Sequence, residues 1–134
     1  MKKLIVLSVF IIGAVVLVSV FAASGLAAGC QTHNVHGWAF VSNIGWISFS
    51  CKDPGSAIDY GVDLNPNTGK FSGYAWSENI GWVRFDPIGP YPESPNYTAC
   101  VDLSGSGHDC DGFGNNKVSG WVRVCSVFAS GCEG

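Results

Sequence analysis

The residues best suited to meeting a ligand are aromatic. Trp38, Trp46, Trp76, Trp82 and Trp121, with Tyr60 and Tyr74, could each lay a flat ring against the apolar face of a pyranose. Rings that recur in every unit of a repeat are, however, expected to be the rungs of its core. The free candidates are then Tyr91 and Tyr97, in a proline-rich connection; Trp38 and Trp76 are the repeated rings that could also bind, and the burial of Trp38, Trp76 and Trp82 decides between core and sugar platform.

Metal chemistry has two candidate stretches. Asp109 and Asp111 lie two apart in a Gly/Asn-rich loop, as the oxygen ligands of a calcium loop do. In that pattern the fifth position is Phe113 and the closing acid falls on Gly120, so the expected reading is a solvated turn without a cofactor, with calcium as the alternative. Cys30-x-x-His33-x-x-His36 has zinc-like spacing, but a cysteine in an oxidised domain is expected to pair with another cysteine.

Catalysis finds no constellation. Asp59, Asp63, Glu78, Asp86 and Glu93 offer carboxylates without distinguishing any pair for acid and base work. Nucleophile elbows, zinc-protease helices and phosphate-cradling loops are all missing from the sequence, and three scattered histidines do not make a triad. The expectation is that the protein is not an enzyme.

Six cysteines, Cys30, Cys51, Cys100, Cys110, Cys125 and Cys132, follow the apolar N-terminal run, and an even number in a short chain argues for three disulfides. Of the 15 connectivities, Cys30 with Cys51 is favoured, the other four pairing among themselves. Met1-Lys2-Lys3 and twenty uncharged residues, Leu4 to Ala23, read as an export leader, with 1–29 a signal peptide or a retained membrane anchor. Ala27-Ala28-Gly29-Cys30 is an imperfect lipoprotein signal, so a lipid on Cys30 is a second route to a membrane. Without Lys2 and Lys3, five basic residues face ten acidic ones, which argues against nucleic acid as a partner.

The elements that must position these residues are repeated. His36 to Phe49 aligns with Ser72 to Phe85 without a gap, seven identities in fourteen at a spacing of 36, which is internal duplication. Tyr60 to Leu64 resembles Ala99 to Leu103, and Lys70 to Tyr74 resembles Lys117 to Trp121, adding a third copy; the copies cover about 36–64, 72–103 and 117–134 of a domain spanning 30–134. Each reads as short strands, with one face aromatic (Trp38, Phe40; Tyr74, Trp76) and the other small (Gly37, Ala39; Gly73, Ala75). Asn43 and Asn79 suit positive φ in the turns, and Gly45 and Gly81 suit a bulge or close approach. With 13% charged residues, 47% apolar residues and 18 glycines, the composition excludes disorder and coiled coil. The predicted fold is all-β, a small antiparallel sandwich, barrel or stacked repeat array, after an N-terminal hydrophobic leader helix.

Gly73-Tyr-Ala-Trp-Ser-Glu-Asn-Ile-Gly-Trp-Val-x-Phe85, with Val118-Ser-Gly-Trp-Val-Arg-Val-Cys125, resembles the Trp-rich repeats of predicted exported proteins from small-genome, candidate-phyla bacteria. That resemblance implies export and repetition and brings no activity, ligand or catalytic residue. The expected function is an exported, disulfide-stapled structural or interaction module, secreted or at the cell surface, with an envelope or extracellular partner. A carbohydrate-binding or adhesion domain is the alternative, and a subunit of a surface filament or array is the second alternative. Three aromatic rings aligned on a solvent-facing groove would favour the sugar reading.

Overall fold

The computed structural model describes residues 29–103, 110 and 116–133. The expected leader helix lies outside these residues, as do Asp109 and Asp111. Among the described residues, eight strands run β1 (Trp38–Val41), β2 (Gly45–Ser48), β3 (Val62–Leu64), β4 (Phe71–Ser77), β5 (Gly81–Arg84), β6 (Cys100–Val101), β7 (Val118–Ser119) and β8 (Arg123–Val124). The main sheet has the order β1-β2-β4-β5-β8, with β3 added along the start of β4, and β6 and β7 form a second, two-stranded sheet. All of these strand pairs are antiparallel. The all-β class is as expected, but there is no closed barrel: β1 and β8 stand at opposite ends of the strand order and do not pair.

The duplication is expressed as two hairpins in one register. Trp38 faces Ser48 and Phe40 faces Trp46 across β1 and β2, and 36 residues later Tyr74 faces Arg84 and Trp76 faces Trp82 across β4 and β5. Each turn has three residues and closes on a left-handed glycine, Gly45 at φ 92° and Gly81 at φ 75°. This geometry suits a type I turn followed by a glycine bulge. The positive φ expected at Asn43 and Asn79 is therefore carried by the glycines two residues on; among the described residues only Asn116 has positive φ without being glycine. Asn79 instead spends its side chain on the neighbouring hairpin, its Nδ2 donating to the Ile44 carbonyl at 2.8 Å. In the third copy the register changes, since Val101 faces Val118 where its counterpart Val62 faces Gly73.

Alternation along the strands then decides which side is core. Val62, Ala75 and Val83 are buried and collect Val35, Ile47, Phe49, Phe71, Ile80, Phe85 and Val124 around them. Phe85 meets Phe49 and Phe71 edge-on, at 5.8 and 6.0 Å between ring centres. Burying each valine contributes about 2 kcal/mol. All these strand positions have the parity opposite to the tryptophans. The hairpin rings expected as core rungs therefore face away from this core: Trp38 (49% exposed) and Trp46 (58%) remain largely in solvent with Phe40 (61%), Trp76 and Trp82 are half-buried, and Tyr60 is buried.

Three disulfides fasten the irregular parts: Cys30–Cys51, Cys100–Cys110 and Cys125–Cys132. The favoured first pair is present, and the other four cysteines pair among themselves as expected. Because its sulfur is in this bond, Cys30 cannot act as a zinc thiolate, and the disulfide and a lipid on Cys30 exclude one another.

Candidate functional site

The side of the sheet away from the core carries a groove. Its floor follows from register: Trp38 on β1 is opposite Ser48 on β2, Ser48 is opposite Trp76 on β4, and Trp76 is opposite Trp82 on β5. These four positions cross three strand spacings, about 14 Å. Ser48 is fully buried, so the small side chain between Trp38 and Trp76, which stand about 10 Å apart, makes room for a ring laid over it and does not itself line the groove.

The segment between β2 and β3 supplies the wall. Tyr60 folds over the sheet so that its hydroxyl lies 2.8 Å from Ser48 Oγ, which in turn donates to the Ser50 carbonyl. Its ring packs edge-on to Trp82 at 5.3 Å, and Trp82 meets Trp76 at 4.7 Å. Trp46 bridges Phe40 and Trp38 at 5.1 and 6.5 Å on the other side. Pro54, Ser56 and Ile58 complete the wall, and Gly45, Glu78 and Asn79 close the turn end of a cavity of about 950 Å³. A second cavity of about 310 Å³ continues beyond the ridge of Ile58, Tyr60 and Trp82, lined also by Asp59, Tyr74 and Cys132. An apolar floor edged by a few polar groups is the usual form of a small-molecule site.

Of the residues singled out in the sequence, Trp38 and Trp76 line this groove. Tyr91 and Tyr97 do not: both are half-buried, with Tyr91 donating its hydroxyl to the Pro87 carbonyl at 2.8 Å and Tyr97 sharing a hydrogen bond with Ser119 Oγ at 3.0 Å. Trp121 is likewise committed, its Nε1 donating to the Pro95 carbonyl at 2.9 Å. Trp46, Trp82 and Tyr60, also named as candidate stacking rings, line it too, whereas Pro54, Ser56 and Ile58 lie in a stretch without strand periodicity that gave no signal.

A separate polar cluster fastens the segment before β1 onto β3. His33 Nδ1 lies 2.8 Å from Asp63 Oδ2, the Asn34 N–H donates to Asp63 Oδ1 at 3.0 Å, and Asn34 Nδ2 donates to the Leu64 carbonyl. Burial would raise the Asp63 carboxyl, but the His33 hydrogen bond, the Asn34 N–H and the charges of His33 and His36 outweigh it and hold the group below its ordinary 3.8. A lowered folded-state value means stability that is present above the ordinary carboxylate range and lost as pH falls through the lowered value. Acid titration of the native protein should therefore release this segment below about pH 3.8, and Asp63→Asn should remove that part of the pH dependence; an unchanged acid limb would overturn the assignment. His33 Nε2 is buried without a hydrogen-bond partner and lies 3.7 Å from Asp59, so the cluster holds a His between two carboxylates without a nucleophile in the contacts described. It fastens the segment before β1 onto β3.

Compared with protein-family models, with curated proteins and with solved structures, the chain matches none.

Proposed function

We propose that this chain is an exported, disulfide-stapled carbohydrate-binding module that holds an extended sugar chain in the aromatic groove and performs no catalysis. The observation that carries the reading is the row Trp38, Trp76, Trp82 beside Trp46 on the solvent side of the sheet, lining one open cavity. Indole faces match the C–H face of a pyranose, and the rim groups Ser56, Glu78 and Asn79 offer hydrogen bonds to ring hydroxyls. The apolar leader and the three disulfides support a place outside the cytoplasm, where glycans are the abundant extended polymer.

Titration with cello-, xylo-, chito- and glucosamine oligosaccharides, followed by tryptophan emission and calorimetry, tests this. Saturable quenching or a blue shift is the expected result. Trp76→Ala should weaken binding by roughly thirtyfold, about 2 kcal/mol for a central aromatic anchor. Trp46→Ala, which removes a more exposed ring, gives the same test at lower risk to the fold. A panel that leaves emission unmoved, or tryptophan variants that bind as well as the parent, would overturn the reading.

A subunit of a surface array is favoured by one feature, the edge position of β1 with Phe40 exposed. Concentration-dependent sedimentation that Phe40→Ser abolishes would turn the reading that way.

A further inference from the structure

Resting on the glycan-binding reading, we propose that the sugar chain carries protonated amino groups: a glucosamine-type polymer with free amines, in preference to a neutral or acidic one. The two cavities are lined by rings and carboxylates. Glu78 is the charged residue of the larger cavity and Asp59 that of the smaller, and no Lys, Arg or His lines either among the described residues. Parity puts Glu78 on the same face as Tyr74 and Trp76, and the register that sets Ser48 against Trp76 brings Trp46 toward Glu78. An ammonium there meets a carboxylate and electron-rich indole faces together, the arrangement by which aromatic cages hold cations.

The cations of the same face are turned elsewhere. Arg84 donates through Nε to Asp86 and through Nη1 to the Cys132 carbonyl, at 3.1 and 2.9 Å. Arg123 donates to the Gly131 carbonyl and Ser130 Oγ, and its guanidinium lies 3.7 Å above the Phe128 ring. The excess of acidic over basic residues extends the same bias to longer range. Because Tyr60 divides the two cavities, a chain crossing its ridge sets one amino sugar near Glu78, the carboxylate on which the preference rests, since Asp59 already accepts the Gln31 N–H and lies 3.7 Å from His33 Nε2.

The test compares tetramers of glucosamine, N-acetylglucosamine and glucose by calorimetry at low salt and mildly acidic pH, where the amines are charged. The glucosamine tetramer should bind about tenfold more tightly than either of the others, the sum of a screened ion pair and cation–π contact. In Glu78→Gln, or in roughly 0.5 M salt, that preference should shrink to about twofold. Equal or tighter binding of the acetylated or glucose tetramer, or a preference that survives Glu78→Gln, would overturn the amino-sugar inference while leaving the groove a sugar site. Failure of all three tetramers to bind would overturn both.

Discussion

Gly73→Ala should cost about 3 kcal/mol or more and lower the thermal midpoint by roughly 15 °C, whereas Gly37→Ala, at the equivalent place in the first copy, should cost about 1 kcal/mol. Both glycines are left-handed, at φ 88° and 97°, so both variants bear the same conformational penalty. They differ in what a methyl group would meet. At Gly73 the new Cβ would lie 2.2 Å from the Gly61 carbonyl oxygen, while at Gly37 nothing lies within 4 Å. That oxygen accepts the Tyr74 N–H at 2.8 Å, and Gly61 is itself backed by the His33 ring. Relief of the clash must therefore push β3 away from β4, loosening Val62 from the core. Thermal or chemical denaturation of the two variants measures the difference directly. Equal losses would mean that backbone handedness is the whole cost and that β3 can shift freely.

The same comparison explains what could be read from the sequence. The spacing of 36 and its Gly-aromatic alternation predict two like hairpins, and the registers of β1–β2 and β4–β5 are the same after that shift. Three disulfides and the Cys30–Cys51 pair were legible from cysteine parity and the repeat, while the pairing of Cys100, Cys110, Cys125 and Cys132 among themselves was left open. The side that faces inward was obscured, because both faces of each hairpin are apolar and the recurrent tryptophans mask the smaller set. Trp38, Trp46, Trp76 and Trp82 form one set, and Ala39, Ile47, Phe49, Ala75, Val83 and Phe85 form the other. The second set was the stronger core signal: its β-branched and phenylalanine side chains recur at matched positions in both copies and bury without a polar atom, whereas each indole N–H needs a partner. Once that set turns inward, the tryptophans must line the opposite face. The wall of the groove was hidden for another reason. Residues 51–59 lie between the aligned stretches His36 to Phe49 and Tyr60 to Leu64, and their placement depends on Cys51 and on the contact of Tyr60 with Ser48, neither of which leaves a periodic trace.

Removing the Cys30–Cys51 bridge, as Cys30→Ala with Cys51→Ala, should destabilise the protein by about 3 kcal/mol, the loop-entropy value for a separation of 21 residues. The Cys125–Cys132 bridge spans only 7 and should matter less, at about 2 kcal/mol. Position adds to this difference. Cys51 is fully buried, and its N–H donates to the Tyr60 carbonyl at 2.9 Å while its carbonyl accepts the Ser56 N–H at 2.8 Å. The bridge therefore grips both ends of the loop that carries Ser56, Ile58 and Tyr60 over the tryptophans. Asp59 joins the same grip by accepting the Gln31 N–H at 2.7 Å, one residue beyond Cys30. A chain without the bridge keeps the core of Val62, Ala75 and Val83 but frees the groove wall, so ordering that wall must be done by the ligand at the expense of affinity. The expected result is a variant that still melts cooperatively, with exchange protection lost first at residues 51–60 and sugar affinity reduced about tenfold, while the Cys125/Cys132 variant binds as the parent does. If both variants bound alike, the wall would owe its shape to Tyr60 packing on Trp82 and Ser48 alone, and the bridge would act only on the unfolded chain.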